Sequence, residues 1–119
     1  MFSFERLDVW QKAIDFADLV YKITRTFPND ERFGLTSQMR RASVSISSNI
    51  AEGSSRFSRA DFARILEIAT GSVFETVSQS FISRREEFLN EAGFNRLYAA
   101  AGEQGRMHSG LRNSVLPRG

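Results

Sequence analysis

The sequence predicts an all-α protein, an antiparallel up-down-up-down four-helix bundle. Three observations carry that expectation. Apolar residues recur at alternating steps of three and four along four segments, with no competing strand pattern. The connections between these segments are short, which makes consecutive helices antiparallel neighbours. The chain has 119 residues, a single-domain length that buries roughly two-thirds of its unfolded surface. Residues 1–119 are therefore expected to form one bundle domain, fraying from about residue 116 to 119.

The first helix is expected from Leu7 to Phe27. Val9, Ala13, Phe16, Val20, Ile23 and Phe27 follow a heptad seam, and Pro28 stops it. A second row, Leu7, Trp10, Ile14, Ala17 and Tyr21, lies beside the first. Two adjacent rows make an apolar arc wider than one partner helix needs. The arc is either a wide core groove or a subunit interface, and Trp10, Ile14 and Tyr21 are the interface candidates.

The second helix is expected from Thr36 to Gly53, including the stretch "SISSNIAEGSSR". Ser, Asn and Gly are poor helix formers, yet Leu35, Met39, Ala42, Ile46, Ile50 and Gly53 share one face at 3.6-residue spacing. Arg41, Ser45, Ser48 and Glu52 form a polar stripe on one flank. Val44, Ser47 and Ala51 form a small-residue strip on the other, a second set of interface candidates. Gly53 reads as a stop signal. Asn49 and Glu52 either line a pocket with Arg41 or set helix register. Register is favoured, because polar residues beside a packed seam specify it.

The third helix has Ser58 as N-cap, Asp61 three residues on, and Phe57 and Phe62 at the positions of a hydrophobic staple. Its expected core row is Phe62, Leu66, Ala69, Val73, Val77 and Phe81, reaching Phe88. Gly71 and Ser72 predict a close helix crossing. The fourth helix starts after Asn90, with Leu89 and Phe94 as a second staple. Phe94, Leu97, Ala101, Gln104, His108, Leu111 and Val115 keep heptad spacing, interrupted by four glycines.

Catalysis is hard to build from this chain. It has no cysteine, which excludes disulfides and thiolate chemistry. His108 is the one histidine and falls on a core row, where a packing role is expected. Neither a Glu-x-x-His pair for a di-metal bundle nor a phosphate-binding glycine loop occurs. Glu75 has no evident catalytic partner. No enzyme activity, metal or cofactor is expected. No apolar run is long enough to span a membrane, and the acidic start "MFSFERLDVW" lacks a signal-peptide core. A cytoplasmic location is the default expectation.

Charge is uneven along the chain. The net is +2, and residues 32–64 carry six arginines against Glu52 and Asp61. Fourteen of the 16 basic residues are arginine, whose planar fork matches phosphate. Arg40, Arg41, Arg56, Arg59 and Arg64 are the candidate nucleic-acid contacts, a patch able to neutralise phosphates without reading bases. A solvated or salt-bridged face is the competing reading.

The blocks "FERLDVWQKAIDFADLVYKITRTFP", "LTSQMRRASVSISSNIAEGSSR" and "FARILEIATGSVFE" resemble the four-helix family encoded by intervening sequences within bacterial 23S ribosomal RNA genes. The resemblance covers about residues 4 to 115 and extends to the accessory proteins of diversity-generating retroelements. It implies a homopentamer of four-helix bundles that associates with RNA or DNA and with a reverse transcriptase. Arg40, Arg41, Asn49 and Glu52 fall on the shared block, and no catalytic residue transfers. The expected function is thus a homo-oligomeric scaffold with RNA or DNA as partner; the alternative is a protein-binding adaptor without nucleic acid.

Overall fold

Four long helices account for nearly all of the computed structural model, which describes residues 1–116. They are α1 (Asp8–Thr24), α2 (Leu35–Ser54), α3 (Arg59–Arg85) and α4 (Glu91–Val115), with single 3-10 turns at Ser3–Arg6 and Asn29–Glu31. Each helix packs against its neighbours in sequence, α4 returns to α1, and α1 lies diagonal to α3. The result is the expected antiparallel bundle, 48 × 25 × 19 Å. The expected fraying at 116–119 lies largely outside the described residues.

Local chemistry sets the helix ends. The Ser58 hydroxyl accepts from the Asp61 amide at 3.2 Å, and Asn90 Oδ1 accepts from the Gly93 amide at 2.7 Å. Both N-caps stand where the sequence places them. The C-terminus of α3 is a Schellman motif. The Phe88 amide donates to the Ser83 carbonyl and the Glu87 amide to the Arg84 carbonyl, with Glu87 at φ 65°. Glutamate occupies a left-handed position that usually falls to glycine, so this end is invisible to a search for glycine stops.

The core follows the expected seams of α1, α2 and α4. Val9, Ala13, Phe16 and Val20 meet Met39, Ile46 and Ile50, and Leu97 and Ala101 close the layer. Phe27 is buried too, although α1 ends three residues earlier.

Four expectations need correction. Phe57 is fully exposed, so it forms no staple with Phe62. Gly53 does not stop α2; it is a buried helical residue against α3. A Cβ there would come within 2.8 Å of Phe62 Cδ1 and 3.2 Å of Ile65 Cγ2, so the glycine permits close approach. The third correction concerns Gly71, which faces open space. The crossing is made next door, where the Ser72 and Ser45 hydroxyls meet at 2.7 Å.

The fourth correction is the largest. The core row of α3 holds through Leu66, Ala69 and Val73, then continues through Thr76, Ser80 and Ser83, all fully buried. Of the row expected inside, Val77 is half-buried against the core and Phe81 lies outside it, beside two further exposed hydrophobes of α3. Phe81 is 53% exposed, Ile82 51% and Phe74 70%. The second half of α3 is inside-out: hydroxyls face the core and large hydrophobes face away.

Close packing at Gly53 makes a stability prediction. Gly53→Leu should overpack the α2–α3 contact and destabilise the fold by about 1–3 kcal/mol, read as a lower urea midpoint at unchanged slope.

Candidate self-association and nucleic-acid surfaces

Two apolar surfaces remain open on the protomer. The first runs along α1 and α2. Ile14 is 43% exposed, and Tyr21 and Val44 are exposed to a similar degree. Ala51 is half-buried on the same face. Trp10 is half-buried under Phe4 of the N-terminal turn, with ring centroids 4.9 Å apart. Ser47, expected on this face, is instead turned inward and buried, its hydroxyl donating to the Val44 carbonyl. The second surface runs along α3 and α4. It comprises Phe74, Phe81, Ile82 and Tyr98, with Phe81 packed edge-on to Phe94 and Tyr98; Ile68 is exposed on the flank of α3 nearer α2, one turn before Ser72. The pairing of the four helices puts these two surfaces on opposite sides of the bundle.

The five candidate arginines do not form one patch. Arg41 and Arg56 are 15 residues apart on or just past α2, roughly 22 Å at 1.5 Å per residue. Two of the five are already engaged. Arg40 donates through Nε to the Thr24 hydroxyl at 2.9 Å, and its guanidinium lies 4.6 Å from the Tyr21 ring centre. Arg56 pairs with Glu52 at 2.6 Å within one helical turn. Arg41, Arg59 and Arg64 are exposed.

The α2 N-terminal end holds a grouping that the sequence did not disclose. Arg32, Phe33, Thr36, Ser37, Arg40, Arg41, Tyr21 and Val44 line a cleft of about 480 Å³. Phe33 is 88% exposed, and the Arg32 guanidinium sits 5.3 Å from its ring centre. The nearest acid in sequence, Glu31, is turned away to accept from the Leu35 amide at 3.2 Å. Arg32 and Phe33 belong to the connection before α2, and only the fold brings them beside Tyr21. The one available signal was an arginine and a phenylalanine in a polar turn.

The polar residues of the "SISSNIAEG" block act inside the protomer. Asn49 Nδ2 donates to the Ser45 carbonyl at 2.8 Å, and Glu52 holds Arg56. Glu75 is exposed on α3 and accepts from Gln79 Nε2 at 3.2 Å.

His108 is buried among α1, α3 and α4. Gln104 Nε2 donates to the Val9 carbonyl at 3.2 Å, which fixes the amide and aims Oε1 at His108 Nε2, 2.8 Å away. His108 Nδ1 lies 3.0 Å from the Thr70 hydroxyl. In the neutral ring Nε2–H donates to Gln104, and Nδ1 faces the Thr70 hydroxyl, which shares its single proton between Nδ1 and the Leu66 carbonyl 2.9 Å away. Burial pushes the His108 pKa down to about 4. Among the described residues no group of three acids or histidines is placed to hold a metal ion, and no helix is long and apolar enough to cross a membrane.

Comparison with known proteins fits this architecture. The sequence pattern of the family described as 23S rRNA-intervening sequence protein matches residues 5–110. The chain belongs to that family. A crystal structure of a protein of unknown function from the S23 ribosomal protein family of Bacteroides thetaiotaomicron VPI-5482 superposes with a TM-score of 0.78. The two sequences are 25% identical over 87% of this chain and 97% of the other. No curated protein matches the chain. The intervening-sequence family match reaches all four helices, and it brings no assigned activity.

Proposed function

We infer that this intervening-sequence family member is a non-enzymatic scaffold that assembles into a ring of like chains and holds RNA or DNA. The inside-out half of α3 carries the reading. Three fully buried hydroxyl side chains there face the core, while Phe74, Phe81 and Ile82 face water in the single protomer. Covering what remains exposed of each such side chain stabilises by about 1–2 kcal/mol, so a neighbouring chain is the natural cover. The two apolar surfaces are unlike and lie on opposite sides. Docking one onto the other is a head-to-tail contact, which builds a ring when the rotation between successive chains closes. The resemblance of its sequence blocks to retroelement accessory proteins supports five as the proposed number.

Nucleic acid is favoured as the partner by arginine. Arg32, Arg41, Arg59 and Arg64 remain outside the four ion pairs of the described residues, and a ring multiplies each of them. Light scattering at micromolar concentration should give a multiple of the 13.5 kDa protomer. A generic single-stranded RNA should raise that mass at 50 mM salt and lose most of its effect by 200 mM. A monomeric mass overturns the assembly. Unchanged mass with RNA at low salt leaves a protein-binding adaptor.

A further inference from the structure

We propose that the cleft formed by Arg32, Phe33, Tyr21, Arg40 and Arg41 is a site for unpaired nucleotides, so that the chain binds single-stranded nucleic acid in preference to duplex. This deepens the nucleic-acid reading above and rests on it. The argument begins with Phe33, an aromatic ring left almost wholly in water beside three guanidinium groups. Arginines alone would serve any phosphate backbone, single or double. A duplex hides the faces of its bases, whereas an unpaired base has a free face to stack on an aromatic ring.

The geometry separates the two tasks. Arg32 stands over Phe33, which leaves the other face of that ring for a base. Arg40 is held by Thr24 and Tyr21 and forms the floor with Val44. Arg41 is exposed at the rim, placed for the phosphate. Thr36 and Ser37 supply hydroxyls on the same wall. A volume of about 480 Å³ lies within the roughly 300–1,000 Å³ range of small-molecule sites, which suits one nucleotide. No carboxylate lines the cleft. The walls Arg32, Phe33 and Arg41 stand at the end of the α1–α2 surface, away from Trp10 and Ile14.

Fluorescence anisotropy with labelled 20-nucleotide oligo(dT) and oligo(U), and with a 20-base-pair duplex, tests the proposal at 50 mM salt. Single strands should bind at least about tenfold more tightly than the duplex. Phe33→Ala should lower single-strand affinity about tenfold or more and leave duplex affinity unchanged; Phe33→Trp should restore it. The tryptophan should also be quenched by oligo(dT) beyond any quenching of Trp10 in the parent chain. Arg41→Gln should weaken both ligands and reduce the single-strand salt slope by about 0.7. Equal binding of single strand and duplex, or an unaffected Phe33→Ala, overturns the cleft assignment and leaves the scaffold reading standing. Displacement of oligo(dT) by poly-glutamate at equal charge also overturns it, in favour of an acidic peptide. No binding of any oligonucleotide removes this proposal together with the nucleic-acid half of the scaffold reading.

Discussion

Replacing Phe74 and Ile82 together by glutamate should convert the proposed assembly into a folded monomer. The side chains are 70% and 51% exposed in the protomer, and neither belongs to the core or to the residues packed against it. Glutamate is a good helix former, so far-ultraviolet circular dichroism should keep its helical signal. The loss falls on the contact between chains. Removing two half-to-mostly exposed hydrophobes from a subunit interface, and placing two charges in it, costs at least about 3 kcal/mol per interface, more than a hundredfold in Kd. In a ring every interface carries the change, so the mass by light scattering should fall to that of one chain. Ile14→Glu on the opposite surface should act in the same direction, because a head-to-tail contact uses both. A double variant that stays oligomeric would show that the inside-out half of α3 is not where chains meet.

Acid should weaken this fold before its carboxylates titrate. The His108 pKa lies near 4 in the folded chain and near 6.5 when unfolded. The folded pKa is depressed, so between these values the unfolded chain binds the proton and the native chain does not. The stabilisation is complete above about pH 6.5 and is lost as pH falls toward 4. A difference of 2.5 units corresponds to about 3 kcal/mol, a large share of a small domain's total. The structural cause is visible. Burial disfavours the charged ring, and the partners of its two nitrogens, Gln104 and Thr70, are neutral and supply no countercharge. Urea unfolding at pH 7, 5.5 and 4 should show the decline. His108→Gln should be less stable at pH 7 and show a correspondingly shallower decline to pH 4. Parallel pH curves for the two proteins would mean that His108 does not carry the effect.

Much of this fold was legible because α1, α2 and the first half of α3 bury apolar side chains at heptad spacing, and because Ser58 and Asn90 announce their helices. The legibility ended where burial and hydrophobicity part company. Nothing in a local pattern says that Thr76, Ser80 and Ser83 go in while Phe81 and Ile82 stay out. That exchange depends on how close α2 lies to α3, and their small residues set the distance. The arginines show a related limit. Spacing placed Arg40 and Arg56 among free cations, but Thr24, brought near by the fold, holds Arg40, and Glu52, one turn earlier in the chain, holds Arg56. Arg32 and Phe33 were missed for the opposite reason, since an irregular connection carries no period to read.

The serine-lined contact between α2 and α3 has a mechanical corollary. Ser43, Ser47, Thr76, Ser80 and Ser83 each donate to a carbonyl three or four residues back on their own helix. Their polarity is spent locally, and side-chain hydrogen bonding from one rod to the other reduces to Ser45 with Ser72 and the weak approach of Ser83 to Met39 Sδ. The two rods are held together by fit and not by latches. A small axial glide of one along the other would break a single strong tether, and what otherwise opposes it is steric fit, tightest where Gly53 meets Phe62 and Ile65.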